Sequence, residues 1–173
     1  MRWKILIAVL LPLLAPLVLS GCDFQPLYGN RDKAGDAVFN DFAQTKIDTI
    51  ADRSGQLLRN ELLDRMNYRG EPVKPAYELK IRLTENTQNI LVRSDEIPTA
   101  ANVTSIADYE LIDIATKRVL TSGRSTSINR VNILRSPYST VVSSEDAQRR
   151  AAAQIAEDIR TRIGIYFNSA RKR

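Results

Sequence analysis

From Tyr77 to Thr84 the chain alternates without a break, with Tyr77, Leu79, Ile81 and Leu83 set against Glu78, Lys80, Arg82 and Thr84. A period of two marks a strand with one buried and one wet face. The rest of the chain must therefore supply a cover for one side of a sheet. A second strand is expected from about Asn102 to Asp113, with Val103, Tyr109 and Leu111 on one face. A turn region around Arg93 to Pro98 separates the two. Ala115-Thr116-Lys117 makes the next turn, and Arg118 to about Val131 gives a third, unusually polar strand. Connections this short imply an antiparallel meander. Thr45 to Ile50 is a further short strand, with Ile47 and Ile50 as its apolar residues.

Two segments have the period of a helix and can provide the cover. Ser54 is placed to cap a helix running to about Met66, in which Leu58, Leu62 and Met66 recur every four residues. Gly70 and Pro72 punctuate its end. Near the C-terminus Ser143 or Ser144 is the expected cap, with Glu145 and Asp146 in the first turn, where negative charge suits the helix dipole. Ala147, Ala151, Ile155, Ile159, Ile163 and Phe167 then step by four along one face. The expected fold is α+β, with two helices packed on one face of a mixed four-stranded sheet in the order β-α-β-β-β-α. The other sheet face is left to solvent or to a partner.

Residues 1–21 have the pattern of a secretion signal: Arg2 and Lys4 at the start, an apolar run from Ile5 to Leu19, then small Ser20 and Gly21. The run is about 15 residues long and broken by Pro12 and Pro16, too short for a membrane span. Leu19-Ser20-Gly21-Cys22 matches the bacterial lipobox, so Cys22 is read as an acylated N-terminal anchor, with several hydrocarbon tails giving stable attachment. Residues 22–44 read as an extended tether, residues 45–168 as one domain and residues 169–173 as a basic tail. Phe24, Leu27 and Tyr28 either pack on the domain or help dock it on a membrane partner. Arg171-Lys172-Arg173 is either a frayed end or a contact for phosphate or anionic lipid.

The 173 residues contain no histidine and a single cysteine, which removes most nucleophile–base pairs and most metal or haem sites. No P-loop, dinucleotide-binding or serine-hydrolase pattern is present. Asp95-Glu96 and Glu145-Asp146 are sequence neighbours and make poor acid–base pairs. An enzyme is not expected, nor a cofactor, a metal or a nucleic-acid partner.

The opening Cys22-Asp23-Phe24-Gln25-Pro26-Leu27-Tyr28-Gly29 after the lipobox, the order of elements and the final helix from Ser144 resemble the lipopolysaccharide-assembly lipoprotein family, LptE. The resemblance implies a nonenzymatic outer-membrane lipoprotein that lodges in the LptD β-barrel, helps it assemble and contacts lipopolysaccharide. Lipid A phosphates call for basic groups at loop tips. Arg93 in the first meander turn and Lys117 and Arg118 in the second are the candidates, with Arg82, Arg124 and Arg130 on strand faces behind them. Asp23 departs from an outer-membrane address under the best-known lipoprotein sorting rule. It leaves open a second reading, an auxiliary lipoprotein of another envelope lipid-transport system of the ABC type.

Overall fold

The computed structural model describes residues 34–90, 100–133 and 137–171. Along the chain these form α1 (Ala34–Ala43), β1 (Thr45–Ile47), α2 (Asp52–Met66), β2 (Tyr77–Ile90), β3 (Ala100–Asp113), β4 (Val119–Asn132) and α3 (Pro137–Ala170). The four strands make one mixed sheet in the order β1-β2-β3-β4. β1 runs parallel to β2, and the longer strands pair antiparallel as a meander. The α+β architecture expected from the alternation is the one observed, with one helix more.

That extra helix lies where an extended tether was expected. Within α1, Val38 and Phe42 are four residues apart and both buried in the core, so a helical turn is what brings them to one face. The Pro, Gly and Asp residues that suggested an open chain stand mostly before Ala34. Asn67 fastens the end of α1 to β1, its Nδ2 donating to the carbonyls of Phe42 (3.2 Å) and Thr45 (3.1 Å).

Both long helices start earlier than their serines suggested. α2 begins at Asp52 after Ala51, and Ser54 lies inside its first turn, donating to Glu85 Oε2 at 2.8 Å instead of capping the helix. α3 begins at Pro137, a residue favoured at the first helical position, so Ser143 and Ser144 sit in its second turn. At 34 residues α3 is about 50 Å long. It therefore matches the roughly 45 Å of each 14-residue strand.

The core lies between the sheet and the helices. Leu79, Ala107, Tyr109 and Leu111 rise from the sheet to meet Leu58, Leu62 and Met66 of α2 and Ile155, Ile159, Ile163 and Phe167 of α3. Each such aliphatic side chain contributes about 1.5–3 kcal/mol through burial. Over β4 the contact is different. Ala147, Ala151, Ala152 and Ala156 bring α3 close, and the buried β4 residues beneath are the polar Ser125, Ser127 and Asn129, with Val131 packed under Ala147. Ser127 donates to Gln154 Oε1 at 2.6 Å and accepts from Asn129 Nδ2 at 2.8 Å. Half of the polar character of β4 is thus turned inward under a small-residue helix face.

Candidate functional site

The opposite face of the sheet is covered by no described element. Register places its side chains in cross-strand rows: Lys80, Glu110 and Ser122; Arg82, Asp108 and Arg124; Thr84, Ile106 and Thr126; Asn86, Thr104 and Ile128; Gln88, Asn102 and Arg130. The alternation that puts Leu79 and Leu111 in the core puts these residues on the outside. Cations and anions face one another in the first two rows, amides, hydroxyls and single isoleucines fill the next two, and Arg130 stands with two amides in the last. Ile128 is 64% exposed.

Asp108 is the electrostatic centre of this face. Arg124 donates to it through two nitrogens, Nε to Oδ1 at 2.6 Å and Nη2 to Oδ2 at 3.2 Å. These hydrogen bonds and the nearby charge of Arg82 hold the Asp108 carboxyl below its ordinary value. A fork-shaped guanidinium on a carboxylate fixes direction as well as charge. Along the β1 side, Glu78 lies 3.8 Å from Lys46 and 3.5 Å from Lys80. The arrangement suits recognition of a polar, hydrogen-bonding surface.

Of the residues singled out as phosphate contacts, Lys117 and Arg118 are among the described residues. Lys117 and Arg118 occupy the β3–β4 turn, both exposed, where Thr116 N–H donates to Asp113 Oδ1 (2.8 Å) and Lys117 N–H to the Asp113 carbonyl (2.8 Å). Lys117 takes a left-handed conformation, φ 58°, to close that turn. Cys22 and Arg93 lie outside the described residues, Arg93 in the stretch between Ile90 and Ala100. Ile90 and Ala100, which flank that stretch, pair at the end of the sheet opposite the β3–β4 turn, along strands some 45 Å long. Arg82 and Arg124, in contrast, are brought together around Asp108.

The carboxylates weighed as acid–base pairs are engaged elsewhere. Glu145 pairs with Arg53 at 2.9 Å, and Asp146 pairs with Arg149 and Arg150. Asp95 and Glu96 lie outside the described residues. Among the described residues no group of three acidic residues is placed to hold a metal, and no helix is long and apolar enough to cross a membrane. One residue escaped sequence reasoning. Glu85 accepts from Ser54 (2.8 Å), Ser105 (3.1 Å) and Gln148 (3.4 Å), tying α2, β3 and α3 together. Its signal was an acid arriving where the inward row Leu79, Ile81, Leu83 called for another apolar residue.

Known proteins share this arrangement. The structure of a lipoprotein from Caulobacter crescentus CB15 matches with a TM-score of 0.63 at 22% identity, over 76% of this chain and 96% of that one. A minor lipoprotein from Acinetobacter baumannii matches with a TM-score of 0.54 at 11% identity, over 70% and 91% of the two chains. At such identities the likeness is one of fold. In sequence, the Rickettsia prowazekii (strain Madrid E) protein RP188 is 23% identical over 150 residues, which cover 87% of this chain and 91% of that protein. The family model for lipopolysaccharide assembly, LptE, matches residues 41–163, from the end of α1 through most of α3. With that span taking in the whole sheet and its helical cover, the chain belongs to the LptE family of nonenzymatic lipopolysaccharide-assembly lipoproteins.

Proposed function

We propose that this protein is an outer-membrane lipoprotein, held by an acylated Cys22, that pairs one-to-one with an LptD β-barrel and plugs its lumen. In that position it supports maturation of the barrel and delivery of lipopolysaccharide to the cell surface. The observation that carries the reading is the uncovered sheet face, with the Arg82–Asp108–Arg124 row at its charged end. Wide barrels have polar interiors and are commonly plugged. A sheet presenting charges, amides and hydroxyls offers such a wall hydrogen-bonding partners, with Arg82 and Arg130 left to meet acidic or carbonyl groups of the wall. Contact with lipopolysaccharide phosphates, for which Arg93, Lys117 and Arg118 are the candidates, then falls to one end of the sheet or the other.

The test is affinity purification of the C-terminally tagged protein from detergent-solubilised total membranes, with identification of what co-purifies. A large β-barrel in one-to-one yield is the expected result. Depletion of the lipoprotein should then leave the barrel immature, and a normally assembled barrel in depleted cells would sink the reading. Asp23 favours a second reading, an inner-membrane lipoprotein of an ABC-type lipid-transport system. Co-purification of permease components in place of a barrel would establish it.

A further inference from the structure

We infer that the end of the domain at which the N-terminal segment enters is a membrane-contact rim that rests on an anionic phospholipid leaflet. The inference builds on the reading of Cys22 as an acyl anchor.

Backbone hydrogen bonds hold this rim together. Ala76 N–H donates to the Gln44 carbonyl at 3.0 Å, and Ile114 N–H donates to the Ala76 carbonyl at 3.0 Å. The end of α1, the loop after α2 and the β3–β4 turn therefore form one edge of the molecule. α1 reaches the same edge from the other side, where Arg171 at the end of α3 donates to the Ala37 carbonyl at 2.7 Å and pairs with Asp41.

What the rim exposes is apolar and basic in alternation. Val73 is 96% exposed, Tyr68 66% and Val119 54%, and each is followed or preceded directly by a cation: Arg69, Lys74 and Arg118. Among the described residues the cations outside any ion pair are Arg69, Lys74, Arg82, Lys117, Arg118 and Arg130. Four of these six stand on this rim. Three of its carboxylates are committed, Glu71 to Arg59, Asp41 to Arg171, and Asp113 to the backbone N–H of Thr116, with Arg118 nearby, while Asp64, one turn before Tyr68, is exposed. Arg69 lies 5.3 Å from the centre of the Tyr68 ring, an amphipathic pair of the kind favoured where one side is oily and the other wet.

Aromatic and aliphatic side chains interleaved with uncompensated lysine and arginine are the composition of an interfacial surface, and each cation near an anionic leaflet adds to the attraction. An acyl chain on Cys22 would keep the domain within roughly 40 Å of the membrane, the extended reach of residues 22–33, but would leave its orientation undetermined. The rim fixes the orientation by holding this end of the domain at the leaflet. The far end of the molecule also exposes Tyr138, Val141 and Val142, but the N-terminal segment does not enter there, which makes it the natural control.

The experiment places a photo-crosslinking amino acid at Tyr68, Val73 or Val141 of the full-length chain in cell envelopes and identifies lipid adducts by mass. Phospholipid adducts at Tyr68 and Val73 should exceed those at Val141 by about tenfold, and should fall severalfold in K74E/K117E/R118E. Thermal melting establishes that the triple variant is folded. Equal adducts at all three positions, protein adducts only, lipopolysaccharide in place of phospholipid, or adducts unaffected by charge reversal would each overturn the inference. Labelling of Cys22 with radioactive palmitate is read separately. Label without rim adducts sinks the rim alone. Rim adducts without label sink the anchor and leave the rim standing.

Discussion

Tyr109 lies across Gly123 on the neighbouring strand, so close that a β-carbon at position 123 would stand 2.6 Å from the tyrosine hydroxyl and 2.8 Å from Cζ. Tyr109 is buried under α3, with Arg162 and Asp158 beside it, and has no free direction in which to retreat. In a strand, alanine ordinarily outperforms glycine by about 0.5–1 kcal/mol. Here the steric cost dominates, and Gly123→Ala should destabilise the protein by about 1–3 kcal/mol in denaturant unfolding. Adding Tyr109→Phe should not restore stability, because Cζ itself is too near.

Gly55 makes the same argument in a helix. A β-carbon there would meet Ile50 Cγ2 at 2.7 Å and the Ile50 carbonyl carbon at 2.9 Å. A methyl group can swing aside, whereas backbone at the turn into α2 cannot. Gly55→Ala should lower the melting temperature, although helix propensity alone predicts a gain of about 1 kcal/mol.

The buried polar row beneath α3 predicts an asymmetry. Ser127→Ala removes the acceptor for the buried Asn129 Nδ2 and strands it, while Gln154, exposed on α3, turns to water. A cost of about 1–3 kcal/mol should appear in urea unfolding. Ser127→Ala combined with Asn129→Val should recover much of it, since a matched apolar pair strands nothing.

Acid should expose the Asp158 pair. Burial pushes this carboxyl up, but hydrogen bonds from Arg162 and Ser125 and the charge of Arg162 outweigh it and hold the group below its ordinary value. A depressed folded value means stability that is fully present above about pH 4 and lost as pH falls through the folded value. Asp41 acts in the opposite sense, because burial raises it despite Arg171, so its contribution grows as pH falls. Melting curves taken at decreasing pH should therefore show a shallower acid loss in Asp158→Asn than in the parent protein.

On the uncovered face, Arg124→Glu should leave the melting temperature of the isolated protein nearly unchanged, since the Arg124–Asp108 pair is solvent-exposed and such pairs add little. Its yield of co-purified barrel should fall several-fold if this face meets the lumen wall, because the reversed charge then faces fixed partners. An unchanged yield would move the interface elsewhere.

What could be read from the chain was whatever depended on period. The alternation at Tyr77–Thr84 gave β2, and the four-residue step from Ala147 to Phe167 gave the buried stripe of α3, every member of which is in the core. Caps were misplaced because serine is ambiguous: Ser54 has the right chemistry for an N-cap but spends its hydroxyl on Glu85, a residue 31 positions away. α1 was missed because Val38 and Phe42 supply only two apolar anchors, too few to establish a period, and their partner Phe167 lies at the other end of the chain. The basic residues at the loops are visible in the sequence, but the register of β2 on β3 is not, and it sets Ile90 and Ala100 a full strand length from the β3–β4 turn.

The position of α3 also sets an order of events. The helix that covers the sheet is made after every strand, and its most apolar turns, Ile159 to Phe167, follow its alanine-rich half. Until then Leu79, Tyr109 and Leu111 have only α2 above them, and the long outer edge of β4 is unguarded. A chain stopped before α3 would offer bare sheet and open edge at once, the combination most prone to aggregate. For this protein, completion of α3 must outrun self-association.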